Sequence, residues 1–209
     1  MIERMSQYIV RNILLTDEQS SDDEKEIILF GVTRILEDLP KFIAIFLMCY
    51  LLNMLKELSI VFLITISYKT FVGGAHARTN LGCFLISSMY FILPIILAKY
   101  FNYSAYLLYI LVAVAIIFSI YIIVKIAPAD TEEVPIINKK KRNQLKVFGG
   151  ISIIVITFST IMLIKDITYI KIILYTLFLI NLFATPLAYK LLKCKLGIEA
   201  EEFKDLYKK

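Results

Sequence analysis

The sequence of 209 residues has no tryptophan, a single histidine and only three cysteines. One histidine without any Cys-x-x-Cys pair provides too few ligands for a zinc site, so we expect no metal and no cofactor. The cysteines, Cys49, Cys83 and Cys194, are odd in number and scattered, which argues against a disulfide framework. A cleavable signal peptide is not expected either, because residues 1–26 are polar and charged rather than apolar.

Apolar residues, in contrast, are abundant: 59% of the sequence is hydrophobic and its mean hydropathy is +0.75. Several apolar runs approach or exceed the ~20 residues that a bilayer-spanning helix needs. The sequence therefore predicts an all-α polytopic membrane protein with about six membrane helices, the first two of them short. The net charge of +5 fits the basic loops of such a protein, so we expect a lipid bilayer and no nucleic acid as its partner.

The first 39 residues are predicted to form an N-terminal amphipathic segment of interfacial helices. Apolar residues recur every three or four positions over 2–14, with charged residues elsewhere around the turn. Capping-box patterns at 16–19 and 21–24 predict a break and a second helix start. That second helix is expected to end at Pro40.

The rest of the chain divides into apolar and polar segments, which we interpret as parts of one membrane-embedded domain over 1–209. The two short apolar runs within 40–68 are either tilted spans or a hairpin that enters and leaves the membrane on the same side. The remaining segments are a polar loop over 69–82, two spans over 83–124, a basic loop over 125–146, two spans over 147–189 and a charged tail over 190–209.

The distribution of basic residues predicts the orientation of these segments. Six crossings put the N-terminus, the 69–82 loop, the 125–146 loop and the tail on one side of the membrane. That side carries all but a few of the lysines and arginines; the exceptions are Lys56, Lys99, Lys165 and Lys171. By the positive-inside rule, both termini and the 69–82 loop are cytoplasmic.

The 69–82 loop and the residue after it hold the most reactive groups of the sequence. His76 and Cys83 together make the minimal nucleophile–base pair for acyl transfer. On one continuous helix, seven residues at ~1.5 Å each would separate them by roughly 10 Å, too far for proton transfer. The chain must therefore curl back, which Gly73, Gly74 and Gly82 permit. If Cys83 lies in the first turn of the next helix, the helix dipole favours its thiolate.

Two motifs resemble the accessory gene regulator B (AgrB) family of bacterial membrane peptidases. They are Gly73-Gly74-Ala75-His76-Ala77 followed by Cys83, and Ala127-Pro128-Ala129-Asp130-Thr131-Glu132. The resemblance covers nearly the whole chain. It implies a multi-pass protein of the bacterial cell membrane, a homodimer, in which Cys83 is the nucleophile and His76 the base of a cysteine endopeptidase.

The resemblance also implies the substrate, a quorum-sensing propeptide with an amphipathic N-terminus and an acidic C-terminal tail. The enzyme removes the tail, keeps the peptide as an acyl-enzyme and supports closure of a thiolactone or lactone ring. Cationic residues are candidates for binding the tail, although the basic run could instead fix topology and contact anionic lipid. These candidates are Lys69, which stands near an arginine position of the family, Arg78, Lys139, Lys140, Lys141 and Arg142.

The remaining roles stay open at the level of sequence. The Cys83 N–H could form an oxyanion hole with Asn80 or Thr79, although Asn80 is equally suited to cap a helix. Gly73 and Gly74 are candidates for positioning the loop. A third catalytic residue, if there is one, could be Glu37, Asp38 or Asp130.

Two other functional classes compete with the peptidase. The chain could be a peptide exporter, although its hydropathy shows no inverted repeat and its long spans have no charge near their centres. It could also be a non-catalytic scaffold that docks a partner through its N-terminal helix. Replacement of Cys83 by Ser or Ala distinguishes the peptidase from the exporter and the scaffold, because only a thiol peptidase requires the sulfur.

Overall fold

The computed structural model describes residues 2–11, 22–77, 79–132 and 134–197, and these residues are helical with isolated β-bridges but no strand. The chain forms two compact units, Met1–Leu52 and Asn53–Lys209. The elements are α1 (Ile2–Ile9), α2 (Asp22–Leu51), α3 (Leu55–Ile64), a π-helical turn (Thr65–Lys69), α4 (Thr70–Val72), α5 (Asn80–Tyr100), α6 (Ala105–Lys125), α7 (Lys139–Leu163), α8 (Ile167–Ala184) and α9 (Pro186–Leu191).

Four of these helices, α5 to α8, are long and apolar enough to cross a membrane. The protein is therefore a polytopic all-α membrane protein, as its composition predicts. The first half of α2 is charged, and α3 continues into the π-helical turn and the short α4. The count of six membrane segments consequently stays a prediction.

The first unit consists of α1 and α2. The Thr33 hydroxyl donates a hydrogen bond to the buried Ser6 hydroxyl at 2.8 Å, which fixes α1 against α2. The break that the sequence predicts near residues 16–21 falls within 12–21, outside the described residues.

The prediction that the second N-terminal helix ends at Pro40 is wrong, because α2 runs through Pro40 to Leu51. An ion pair of 2.7 Å between Asp38 and Lys41 crosses the proline. A proline inside a helix removes one backbone hydrogen bond, whereas unwinding an apolar segment in a bilayer would leave many backbone groups unpaired. The chain turns instead at residues 52–54, where Asn53 adopts a positive φ of 53°.

The second unit is built around α8, which contacts α3, α5 and α6. Of the 18 residues of α8, 56% are buried inside the protein, against 22–28% of an 18-residue apolar stretch in each of the other three long helices. At one end of the unit, Glu57 pairs with Lys99 at 3.0 Å, and the Lys171 ammonium donates to the Phe101 carbonyl at 3.0 Å. The start of α3, the end of α5 and the start of α8 therefore lie at the same end.

A buried polar chain crosses the interior of this unit. The Tyr68 hydroxyl donates to the Asn181 side-chain oxygen at 2.8 Å, and the Asn181 amide donates to the Ser119 hydroxyl at 2.7 Å. Buried polar groups are costly unless they are paired, so these bonds fix the relative positions of the π-helical turn, α8 and α6. The turn leads directly into the polar loop.

Two predicted loop boundaries need correction. Residues 69–72 are helical and α5 begins at Asn80, so the predicted 69–82 loop is shortened to 73–79. The predicted 125–146 loop ends at Asn138, whose side chain caps α7 by accepting hydrogen bonds from the N–H groups of Lys140 and Lys141. The sequence-based boundary missed this cap because charged residues in a first helical turn look like a loop.

Candidate active site

The loop after α4 begins with two glycines in conformations that other residues rarely adopt. Gly73 has φ 79° and ψ −153°, and Gly74 has φ 146°. A Cβ atom on Gly73 would collide with the carbonyl oxygen of Ala129. Glycine is therefore required here both for the backbone angles and for close approach of a second segment.

Backbone hydrogen bonds hold this glycine turn from two sides. The Gly74 N–H donates to the Ala129 carbonyl at 2.9 Å, and the Ala129 N–H donates to the Val72 carbonyl at 2.8 Å. On the other side, the Ala75 N–H donates to the Phe183 carbonyl at the end of α8, at 2.8 Å. The two sequence motifs, one around residue 74 and one around residue 129, thus meet in space.

The segment that carries Ala129 is itself anchored by an ion pair. The buried Asp130 carboxylate accepts hydrogen bonds from the Arg142 guanidinium at 3.0 Å and from the Ile136 N–H at 2.8 Å. The same guanidinium donates to the Pro128 carbonyl at 3.1 Å. It also donates to the Ile136 carbonyl at 3.4 Å, so Arg142, near the start of α7, joins three points of the loop between α6 and α7.

Tyr189 of α9 provides a second anchor. Its buried hydroxyl donates to the Ala129 carbonyl at 2.8 Å and lies 3.0 Å from the Asp130 carbonyl. Burial raises the pKa of Tyr189 well above its ordinary value, nearby Cys194 and Asp130 raise it further, and Arg142 lowers it. The hydroxyl consequently keeps its proton and remains a hydrogen-bond donor.

The nucleophile candidate Cys83 lies half-buried at the end of the first turn of α5. Thr79, and not Asn80, caps this helix: its hydroxyl oxygen accepts a hydrogen bond from the Gly82 N–H at 3.1 Å. The Cys83 N–H donates to the Thr79 carbonyl at 2.8 Å. It is therefore engaged in the helix and cannot donate to an oxyanion. The Thr79 hydroxyl, which accepts in the cap and can still donate its hydrogen, and the exposed Asn80 side chain remain the donor candidates.

The chain curls back between His76 and Cys83, as their spacing requires. A Cβ atom built on Gly82 would lie 3.0 Å from the Cβ of Ala77, so the neighbours of His76 and Cys83 pack directly against each other. His76 is exposed in the stretch that follows the glycine turn, and Cys83 is half-buried in the first turn of α5. Arg78, between them, lies outside the described residues.

The other candidate residues fall into three groups. The Lys69 ammonium lies 4.2 Å from the ring centre of Tyr90. Lys139, Lys140 and Lys141 are exposed at the start of α7. Arg142 and Asp130 pair with each other, whereas Glu37 and Asp38 pair with neighbours on α2, Arg34 and Lys41.

Sequence reasoning did not identify Tyr189 and the Phe183 carbonyl. Tyr189 contacts the backbone of Ala129, and the Phe183 carbonyl contacts the backbone of Ala75. Each pair is more than 50 positions apart in the sequence, so no local sequence pattern indicates the contact. The motif at 127–132 was the available signal, because a polar aspartate between two apolar spans suggested a specific role. Among the described residues, no group of three or more candidate ligands could hold a metal ion.

Comparison with known proteins identifies the family. The family model "Accessory gene regulator B" matches residues 2–185. A relative named "Putative AgrB-like protein" from Clostridium perfringens (strain SM101 / Type A) is 31% identical over 151 residues, which cover 70% of this chain and 69% of the relative. A relative of the same name from Clostridium beijerinckii is 29% identical over 156 residues, covering 71% and 74%. No solved structure matches significantly. With its sequence matched along nearly its whole length, this chain belongs to the accessory gene regulator B family.

Proposed function

We propose that this membrane protein is a cysteine endopeptidase that removes the C-terminal tail of an autoinducer propeptide and supports its cyclisation. The observation that carries the proposal is the closed turn at the start of α5, in which Ala77 packs against Gly82 and brings the flanks of His76 and Cys83 together. A cysteine at a helix start beside a histidine is a favourable arrangement for a thiolate nucleophile.

The proposed reaction needs only these two side chains as proton carrier and nucleophile. His76 takes the proton of the Cys83 thiol, and the sulfur attacks the backbone carbonyl that precedes the tail. The C–N bond breaks, His76 gives the proton to the leaving amine, and the peptide stays bound as a thioester. A thiol or hydroxyl of the peptide then attacks the thioester, and its proton returns through His76 to Cys83.

Ring closure requires that water does not hydrolyse the thioester first. Leu81 and Phe84 flank Cys83 in the first turns of α5, and Leu81 is 69% exposed, so the start of this helix presents an apolar side chain at the protein surface. An apolar rim of this kind fits a site at the membrane surface and disfavours access of water.

The charge of the surroundings suits an acidic tail. Lys139, Lys140 and Lys141 are exposed near the loop that contacts the glycine turn, and Arg78 precedes the helix cap. We propose that these cations attract the tail while the amphipathic N-terminus of the propeptide lies on the bilayer. The proposal includes a cytoplasmic site, cytoplasmic termini and a homodimer, in line with the basic residues and the family.

Intact mass spectrometry tests the proposal. The purified protein in detergent is incubated with its propeptide, and the expected result is a mass increase equal to the propeptide without its tail. This adduct should map to Cys83 and disappear with hydroxylamine. An uncut propeptide and an unmodified protein would contradict the peptidase.

The Cys83→Ser variant separates this function from an exporter or a scaffold. A peptidase loses the thioester adduct and the cleaved product. An exporter or a scaffold tolerates the change, since oxygen differs from sulfur by little in size. Secretion of mature peptide at the wild-type level by Cys83→Ser cells would therefore overturn the proposal.

A further inference from the structure

We infer that Asp130, Arg142 and Tyr189 form a positioning unit that sets where His76 lies relative to Cys83. The roles of Cys83 as nucleophile and His76 as base rest on the proposed function. Their positioning by these three residues rests on hydrogen bonds of the structure. None of the three residues needs to touch the substrate; they act through the backbone of Ala129.

A short backbone path leads from Ala129 to His76. The Ala129 N–H and carbonyl bind Val72 and Gly74 at 2.8 and 2.9 Å, and His76 follows Gly74 by two residues. Ala129 is the backbone partner on one side of this stretch, with Phe183 on the other. A shift of Ala129 would therefore remove one of the two backbone supports of the stretch that carries His76.

Ala129 is itself fixed by Tyr189 and by Arg142. Its carbonyl accepts from both the Gly74 N–H and the Tyr189 hydroxyl, so one atom links α9 to the glycine turn. On either side of Ala129, the Pro128 carbonyl and the Asp130 carboxylate both bind the Arg142 guanidinium. Tyr189 thus holds Ala129 itself, and Arg142 holds the residues before and after it.

Arg142 differs from the three lysines that precede it in burial and in pairing. Lys139, Lys140 and Lys141 are exposed, whereas the Arg142 side chain is only 16% exposed and pairs with a carboxylate that is 1% exposed. A planar guanidinium can bind two groups of fixed geometry at once, which a lysine ammonium does less well. The three lysines remain suited to attract an acidic tail, while Arg142 serves the architecture of the loop.

A cross-link reporter measures the positioning without any peptidase activity. Cysteines are introduced as Ala77→Cys and Gly82→Cys in a Cys83→Ser background. Their Cβ atoms start 3.0 Å apart, shorter than the roughly 3.5–4.5 Å of natural disulfides, and the Cβ at position 82 would lie 2.8 Å from the Thr79 hydroxyl. The disulfide therefore requires that the two residues move apart by about half an ångström and that the Thr79 hydroxyl rotates away, and the variant that carries only these changes is the parent for every comparison. The full-length protein in detergent is treated with a mild oxidant, and mass spectrometry of its peptides follows disulfide formation over time.

Removal of an anchor should slow this cross-link at least tenfold. Tyr189→Phe deletes one hydroxyl, Arg142→Gln removes the guanidinium, and Arg142→Lys should give an intermediate rate. Matched controls are Tyr109→Phe, at a tyrosine 73% exposed on α6, and Lys165→Gln, at an exposed lysine. Both controls should cross-link at the rate of the parent.

Kinetics of propeptide cleavage provide the second readout, with Cys83 restored and the reporter cysteines absent. Tyr189→Phe and Arg142→Gln should lower kcat while KM and its salt dependence stay unchanged. Substitution of Lys139, Lys140 and Lys141 by Gln should instead raise KM at low salt. This split distinguishes a positioning residue from one that binds the tail.

The cross-link and the cleavage assay test the positioning unit and the proposed function independently. Folded Tyr189→Phe protein that cross-links as fast as the parent overturns the positioning unit, and this variant decides the matter if Arg142→Gln does not fold. A slower cross-link together with a wild-type protein that cuts no propeptide supports the positioning unit and contradicts the proposed function. Monodispersity in size-exclusion chromatography establishes folding for each variant.

Discussion

Replacing Gly73 by alanine should disable the site while the helices stay folded. The added Cβ would meet the Ala129 carbonyl at backbone angles, φ 79° and ψ −153°, that essentially only glycine adopts. The turn can relieve this only by moving away from Ala129. The two backbone hydrogen bonds that join Ala129 to Val72 and Gly74 would then break.

The two hydrogen bonds are present whenever the glycine turn contacts Ala129, so only the strain and the clash lower the population of that arrangement. The backbone conformation costs about 1–3 kcal/mol for a residue with a Cβ. Because about 1.4 kcal/mol corresponds to a factor of ten, this strain alone lowers the population about 5- to 140-fold, and the clash with the Ala129 carbonyl lowers it further.

The assay compares the initial rate of propeptide cleavage by Gly73→Ala with that of two other glycine variants. Cβ atoms at Gly31 and Gly150 meet nothing within 4 Å, so Gly31→Ala and Gly150→Ala add the same methyl group to helices without a clash. Both controls should keep the wild-type rate, and all three variants should stay monodisperse. If Gly73→Ala cleaves within threefold of the wild type, the reasoning about the glycine turn is refuted.

Three further predictions concern side chains of the site. His76→Gln should lower cleavage at least about 100-fold, the usual size of a lost general base, with the protein still folded by circular dichroism; a near-normal rate would remove His76 from the mechanism. Arg78→Glu should impair cleavage of the natural propeptide and be partly rescued by a tail with reversed charge, and no rescue would show that Arg78 does not bind the tail. Because burial raises the pKa of Tyr189 above its ordinary value of 10, its contribution to stability is constant below pH 10 and declines as the pH rises further. The difference in thermal stability between wild type and Tyr189→Phe should therefore be equal at pH 6 and pH 9, and a difference that changes across this interval would contradict the assignment.

The fold class follows directly from the sequence because long apolar runs dictate membrane helices. The loop with His76 and Cys83 is equally visible, since it is a polar stretch between such runs and holds the only histidine. The end of the second helix was misjudged because a proline in water usually stops a helix, whereas the apolar residues after Pro40 continue it.

The packing around the site was less accessible to sequence reasoning. The contact between Gly74 and Ala129 depends on how α6 and α7 pack, and the contact between Ala75 and Phe183 depends on α8. Nothing near His76 indicates either partner. Arg142 illustrates the difficulty: within a run of four cations it looks equivalent to Lys139, and only its pairing with Asp130 distinguishes it.

The hydrogen bond between Ala75 and Phe183 also has a consequence for synthesis. The chain emerges from the ribosome in order, so His76 and Cys83 are synthesised at least 100 residues before Phe183. Until α8 inserts, the Ala75 N–H has no Phe183 carbonyl to bind, and the turn lacks one of its two supports. A nascent chain therefore completes both supports of the glycine turn only when α8 is in place.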